Sequence, residues 1–206
     1  MAVKLDILPV GPLQANCYIL SDDGGIAVMV DPGGDSDQLI AQCDGLQLKM
    51  VLLTHGHVDH VAAACAVKAA TGAPVWAHEA DWEAVEHPHP YFAQMVGGVE
   101  PCTLDGKLED GQEMQVGEIA LRIMHTPGHS PGSVCIAWEG GVLTGDTLFA
   151  GSVGQTDLPG GSSAELMQSL RKMAAGLAPE TVIYPGHGPA TTMAEELADN
   201  PFLQGL

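Results

Sequence analysis

The chain has 206 residues, 46% of them apolar, which allows one domain with a sizeable core and argues against disorder. Seven Lys and Arg against 26 Asp and Glu give a formal charge of −19, and Lys4, Lys49, Lys68, Lys107, Arg122, Arg171 and Lys172 are too scattered to form a basic stripe. Nucleic acid and anionic membrane surfaces are therefore disfavoured as partners, and the acidity reads most simply as solubility.

In chain order, "MAVKLDILPVGP" has no long apolar run after its basic residue, so no secretory signal is expected. "ANCYILSDDGGIAVMVDPGG" reads as a hairpin around the turn-forming Asp22-Asp23-Gly24-Gly25. "SDQLIAQC" predicts a short helix capped by Ser36, and "KMVLLTH" a buried strand ending at His55. "HVAAACAVKAATG" is alanine-rich and helical with Gly72 as its stop, and "APVWAH" is another strand. Residues 79–100 mix acids, aromatics and prolines, which suggests an irregular or partly helical cap over a site. Strands return with "QEMQV", "IALRIMHT", "SVCIAW" and "GVLTGDTL". "SSAELMQSLRKMAAG" is a helix capped by Ser162 or Ser163 and ended by Gly176; "TVIYPGHG" is a last strand and "TMAEELAD" a last short helix. Hairpins and strand-helix-strand units in about equal measure suit two packed sheets with helices outside. No segment reaches the roughly 18 apolar residues of a membrane span. Five cysteines without a C-x-x-C pair predict reduced thiols in a cytoplasmic protein, with Cys17, Cys65 and Cys135 in the core.

Four segments share one design: "VLLTHGHVDH", "IMHTPGHSPGS", "VLTGDTLF" and "VIYPGHGP" each run from an apolar strand into a Gly-rich loop bearing His or Asp. Loops at strand ends are where rigid scaffolds carry their sites. Together they offer His55, His57, Asp59, His60, His129, Asp146 and His187. Any one of these alone reads as a hydrogen-bonded loop residue, and Asp146 alone as a turn cap. As a set, five imidazoles and two carboxylates suit zinc, manganese or iron. Seven donors exceed the need of one tetrahedral ion, whereas two ions sharing a bridging carboxylate use all of them. If the chain turns from a strand into a helix at "HGHVDH", His55 and His57 can face one ion, and Asp59 and His60 the other. Gly56 allows that tight turn.

"THGHVDH", "TPGHSPGS", "GDTLFAGSVGQTDLPGG" and "YPGHGP", in that order, resemble the metallo-β-lactamase superfamily, and within it the short glyoxalase II-like hydrolases. "NCYIL" and "VDPGG" fit the same group, so the resemblance runs from about residue 3 to residue 203. It implies an α+β fold, the four-layer αβ/βα sandwich, as a single domain over 1–206. It implies two divalent metal ions, zinc first with iron or manganese as alternatives. One ion is implied on His55, His57 and His129, the other on Asp59, His60 and His187, with Asp146 bridging. Asp59 and Asp146 are the acids assigned to the reaction itself, and Asp31 in "VDPGG" is implied to orient a ligand histidine from behind.

The implied reaction is hydrolysis of thioesters of the S-lactoylglutathione (hydroxyacylglutathione) type, with a small-molecule acyl thiol as the partner. Metal ions can bring the pKa of bound water to about 7, and a thiol of pKa about 8.5 leaves without a strong general acid. Ser130 and Ser133 sit in no G-x-S-x-G elbow and are read as structural. Two departures stand out. The C-terminal helical domain of full-length glyoxalase II is not expected after His187, and Gln155 stands in "GQTD" where related short enzymes show an arginine. Both remove cations that would hold glutathione. A mononuclear iron persulfide dioxygenase on His55, His129 and Asp146 is the first alternative, but it leaves His57, Asp59, His60 and His187 without a task; lactone hydrolysis on the same metals is another. His87 and His89, each followed by proline, read as a surface loop. His125 reads as packed or hydrogen-bonded, and His78 has no evident partner. Trp82, Tyr91, Phe92 and Met95 are candidates for a pocket mouth, or for a satellite core under the cap.

Overall fold

The central strands bury both of their faces, and this dictates a layered molecule. In the computed structural model, which describes residues 3–205, strands β1 (Lys4–Val10), β2 (Ala15–Ser21) and β3 (Ile26–Val30) open the chain as an antiparallel meander. Met1, Ala2 and Leu206, the ends of the 1–206 domain expected from the sequence, lie outside the described residues. Every residue of β2 is buried. Successive strand side chains point to opposite faces, so Cys17 and Ile19 enter one apolar cluster while Tyr18 and Leu20 enter another. β3 repeats the split, with Ala27 and Met29 on one side and Val28 and Val30 on the other.

Parallel strands β4 (Gln47–Leu52), β5 (Val75–His78) and β6 (Gly106–Leu108) extend this first sheet in the order β1-β2-β3-β4-β5-β6. The second sheet runs β14-β13-β10-β9-β8-β7. Its strands are β7 (Glu113–Val116), β8 (Ile119–His125), β9 (Val134–Trp138), β10 (Gly141–Gly145), β13 (Val182–Pro185) and β14 (Thr191–Thr192). Only β10 and β13 are parallel in it. A small ribbon, β11 (Leu148–Phe149) with β12 (Ser152–Val153), stands apart.

Three apolar clusters fill the gaps between four layers. Leu39 of helix α1 (Ser36–Gln42) and Val67 of helix α3 (Ala64–Thr71) pack with Ile19, Met29 and Val51 of the first sheet. Leu20, Val28 and Leu52 meet Ile123, Ile136 and Leu143 between the sheets. Leu166, Leu170 and Met173 of helix α6 (Ser163–Gly176), with Met193 of helix α7 (Met193–Asp199), cover Cys135, Val142 and Ile183 of the second sheet. This is the four-layer αβ/βα sandwich of the α+β class. No helix among the described residues is long and apolar enough to cross a membrane.

The local sequence rules hold where local chemistry decides. Ser162 caps α6 by accepting from Glu165 N, and Thr192 with Glu195 forms a capping box on α7. They fail where a distant partner intervenes. The "KMVLLTH" strand stops at Leu52 rather than His55, because Thr54 N donates to Asp31 and Thr54 O accepts from Val134 N of the other sheet. The alanine-rich stretch is two helices, α2 (Val58–Val61) and α3, because Ala63 N turns to Pro32 O. Ser36 is the first residue of α1 rather than its cap. Asp35 takes the cap position with φ 49°, and its carboxylate accepts from Gly11 N. "GVLTGDTL" breaks at Gly145, whose positive φ turns the chain so that Leu148 and Phe149 pair in the ribbon. All five cysteines are free, but Cys65 is half-buried against the first cluster rather than within it.

Candidate metal centre

Five strands of the two sheets deliver the predicted residues to one place. Asp31 follows β3, His55 to His60 follow β4, His129 follows β8, Asp146 follows β10 and His187 follows β13. His57 caps α2 in extended backbone, so the turn expected of "HGHVDH" is present: His55 and His57 leave the strand, and Asp59 and His60 lie on the helix. The seven side chains meet in two trios. His55, His57 and His129 form one and Asp59, His60 and His187 the other, with the ligand atoms of each trio within 4.8 Å of one another. Asp146 lies between them, its Oδ1 3.4 Å from His60 Nε2 and its Oδ2 3.5 Å from His129 Nε2 and 3.8 Å from His187 Nε2.

Hydrogen bonds behind the rings determine which nitrogen each presents. Asp31 is buried, and its Oδ2 accepts from both Thr54 Oγ1 (2.6 Å) and His60 Nδ1 (2.9 Å). Having donated its proton, the Thr54 hydroxyl can only accept from His55 Nδ1, 3.0 Å away. Asp31 thus leaves the Nε2 lone pairs of both His55 and His60 facing the site. His129 Nδ1 donates to the Gln155 carbonyl (2.8 Å), which turns its Nε2 toward His57 Nδ1 at 2.8 Å. His187 Nε2 meets Asp59 Oδ2 at 3.1 Å. Among the described residues, three buried ligand atoms have no hydrogen-bond partner: His55 Nε2, His60 Nε2 and Asp146 Oδ1. Buried polar atoms are rarely left unpaired. Imidazole nitrogens and a carboxylate oxygen left without partners in one buried cluster fit divalent cations.

The electrostatics agree. Burial, then the neighbouring imidazoles, hold His55 well below the ordinary histidine range and His57 down to about 4, so both stay neutral donors at neutral pH. Burial also works against a charged His60, but the Asp146 and Asp31 carboxylates outweigh it and raise that ring well above its usual value. The hydrogen bond to Asp59 raises His187. Burial would raise Asp146 and Asp59, yet the surrounding imidazoles hold both below the usual carboxylate range. One end of the cluster repels protons and the other attracts positive charge.

Several residues outside the expected set prove to belong to the surroundings of the site. Thr54 relays Asp31 to His55. Asp81, in a short 3-10 turn at Glu79–Asp81, binds the loops of His55 and His129. Asn16 and Tyr18 bind the loop of His187. No local signal distinguishes these from ordinary polar residues. Ser130 is structural, its hydroxyl bound by Asp81 and Ser133. His78, without an evident partner in the sequence, stacks on His125 with centroids 3.9 Å apart, and His125 is packed and hydrogen-bonded as expected. His87 and His89 are exposed. Residues 79–100 form helices α4 (Trp82–Glu86) and α5 (Pro90–Met95). Trp82 packs against the first core cluster, Phe92 is half-buried, and Tyr91 and Met95 are exposed. A cavity of about 790 Å³ in this region is lined by residues 86–101 themselves and includes no ligand residue.

Comparison with known proteins bears on the same residues. The family model described as the metallo-beta-lactamase superfamily matches residues 10–187. The hydroxyacylglutathione hydrolase GloC of Haemophilus influenzae is 37% identical over 98% of this chain and 98% of its own length. The crystal structure of the BLEG-1 B3 metallo-beta-lactamase aligns with a TM-score of 0.89 at 36% identity, covering 98% of this chain and 100% of its own. That of TTHA1623 in a di-iron-bound form aligns with a TM-score of 0.86 at 38% identity, covering 96% of this chain and 100% of its own. With its histidine motif on the strand-end loops of a four-layer sandwich, the chain belongs to the metallo-beta-lactamase superfamily.

Proposed function

We propose that this metal-dependent hydrolase holds two divalent ions, zinc in the first instance, and cleaves thioesters of the hydroxyacylglutathione type to a carboxylic acid and a free thiol. The observation that carries the reading is the convergence of three unpartnered buried ligand atoms, with Asp146 reaching both trios. His55, His57 and His129 would hold one ion, Asp59, His60 and His187 the other, and Asp146 both. Bound there, such ions supply hydroxide from water near neutral pH and polarise the acyl carbonyl.

The chain's own part is positional. Asp31 and Thr54 aim two imidazoles, and the Gln155 carbonyl aims a third. Asp59, kept ionised beside His187, is an acceptor for the proton given up by the attacking water. A departing thiolate, with a thiol pKa of about 8.5, needs no general acid. The site accordingly sets no serine against a histidine, the Ser130 hydroxyl being committed to Asp81. The Haemophilus influenzae relative supports the acyl-glutathione class, and the di-iron form of TTHA1623 makes iron the first alternative to zinc. Lys68, Lys107 and Lys172 are already paired with Asp105, Glu109 and Asp110, so the reading places recognition on the acyl group more than on the anionic thiol.

Elemental analysis of anaerobically purified protein, with S-lactoylglutathione turnover on the same sample, tests this. Close to two ions per chain with turnover is the expected result. One iron per chain with oxygen uptake on a persulfide and no thioester cleavage would replace the hydrolase by a dioxygenase. Two ions without turnover would discard the substrate and keep the centre.

A further inference from the structure

The two trios are fastened to the scaffold by different buried side chains. Asp81, 3% exposed, accepts hydrogen bonds from Gly56 N (2.8 Å), Ser130 Oγ (2.6 Å) and Gly132 N (2.7 Å). Gly56 stands between His55 and His57, and Ser130 follows His129, so one carboxylate pins both loops that carry the first trio. The contact is close: a Cβ on Gly132 would lie 2.5 Å from the Asp81 carboxyl carbon, and one on Gly56 3.2 Å from Asp81 Cβ. All three donors are uncharged. A buried carboxylate satisfied only by neutral donors carries a desolvation cost that core packing does not require.

The second trio has its own fastening. Asn16, 5% exposed, donates from Nδ2 to the carbonyls of Pro185 (2.9 Å) and Gly188 (3.0 Å), and its backbone N donates to Gly186 O (2.7 Å). The Tyr18 hydroxyl also donates to Pro185 O. These bonds bracket His187 on both sides and run from β2 of the first sheet to a loop of the second. Asp31 serves both trios, through Thr54 to His55 and directly to His60.

We infer that Asp81 is the positioning residue of the His55/His57/His129 trio and Asn16, with Tyr18, that of the Asp59/His60/His187 trio, so that the two ion positions are built separately and can be emptied one at a time. The inference rests on the two-ion reading above. Its test is cobalt(II) binding to chelator-stripped protein, read as cobalt per chain and as the visible absorption of the bound ions. Asp81→Asn and Asn16→Asp keep side-chain shape but put a donor against a donor, or an acceptor against an acceptor. Ser130→Ala and Tyr18→Phe are milder: the first removes the hydroxyl that Asp81 shares with Ser133, the second the one bond to Pro185 O. His57→Ala and His187→Ala supply reference spectra for loss of one ion or the other.

The expected result is a 10- to 100-fold weaker affinity for one ion only, on the order seen when ligand-orienting groups are removed. Asp81→Asn and Ser130→Ala should leave the spectrum of His57→Ala, and Asn16→Asp and Tyr18→Phe that of His187→Ala. A purely structural role would lower the melting temperature and weaken both ions together, which overturns the assignment, as does unchanged affinity for both. Wild-type protein that binds fewer than two cobalt ions overturns the two-ion reading beneath it, a failure visible before any variant is made.

Discussion

At the scale of single residues the most demanding position is Asp31. Its φ of 54° lies in the left-handed region, which Asp tolerates better than most residues but which still costs about 1–3 kcal/mol. The conformation turns both carboxylate oxygens onto Thr54 and His60, with Oδ1 accepting from Thr54 N at 2.7 Å. Asp31→Asn keeps the shape and loses an acceptor, so in either orientation an amide NH₂ faces a donor. Metal affinity measured by competition with a chelator should fall about 10- to 100-fold, because Asp31 orients one ring of each trio. Wild-type affinity in that variant would mean that packing alone aims the two rings. The seven ligand-type residues were legible in the sequence because their residue types are costly to bury and they cluster beside glycines, and Asp31 was legible through the resemblance that "VDPGG" carries. Thr54, Asp81 and Asn16 were not, since a threonine, an aspartate and an asparagine at strand ends are ordinary loop residues until the chain on the far side of the hydrogen bond is known.

At the scale of elements, the site depends on how closely backbone approaches backbone. A Cβ on Gly33 would lie 1.7 Å from the Asp59 carbonyl oxygen, and neither main chain can yield without moving α2 and with it Asp59 and His60. Gly33→Ala should therefore cost about 1–3 kcal/mol of stability, the usual penalty of overpacking, and lower metal content in the purified protein. Gly176 is the control: it is the last residue of α6, a Cβ there meets nothing within 4 Å, and no positive φ opposes it. Gly176→Ala should raise stability by about 0.4–1 kcal/mol, measured by urea unfolding. Equal effects of the two would show that the Gly33 contact is not tight. The helix break at Ala62–Ala63 belongs to the same scale. Propensity favours one helix through the alanines, and the Pro32 carbonyl, in the loop after β3, explains why there are two.

For the whole molecule, the site exists only when the two sheets are packed. The first sheet carries His55, His57, Asp59 and His60, and the second carries His129, Asp146 and His187. The apolar layer between them, with Leu20, Val28, Leu52, Ile123, Ile136 and Leu143, sets their separation. Ile136 is fully buried there and is not one of the seven candidate ligands. Ile136→Ala should destabilise the fold by about 2–5 kcal/mol in urea unfolding while leaving metal stoichiometry intact in the folded protein. A loss below about 1 kcal/mol would mean that the layer is loosely packed. A cation that bridges donors from both sheets adds its binding energy to that of the core, because it binds the packed state and not the unfolded chain.

The sequence by itself determined the period-2 strands, the capped helices α6 and α7, the layered class they require and the residue types of the metal centre. Each of these follows from chemistry within a few positions along the chain: side-chain alternation, a hydroxyl at a helix start, imidazoles beside glycines. Tertiary structure alone decided where β4 stops, why the alanine helix is cut, which nitrogen of each ring faces inward, and that Asp81 and Asn16 hold different halves of the site. Those outcomes rest largely on hydrogen bonds between groups 23 to 172 positions apart, such as Thr54 N to Asp31 and Asn16 Nδ2 to Gly188 O. No local pattern carries them, because the partner is chosen by the packing of the sheets and not by its distance along the chain.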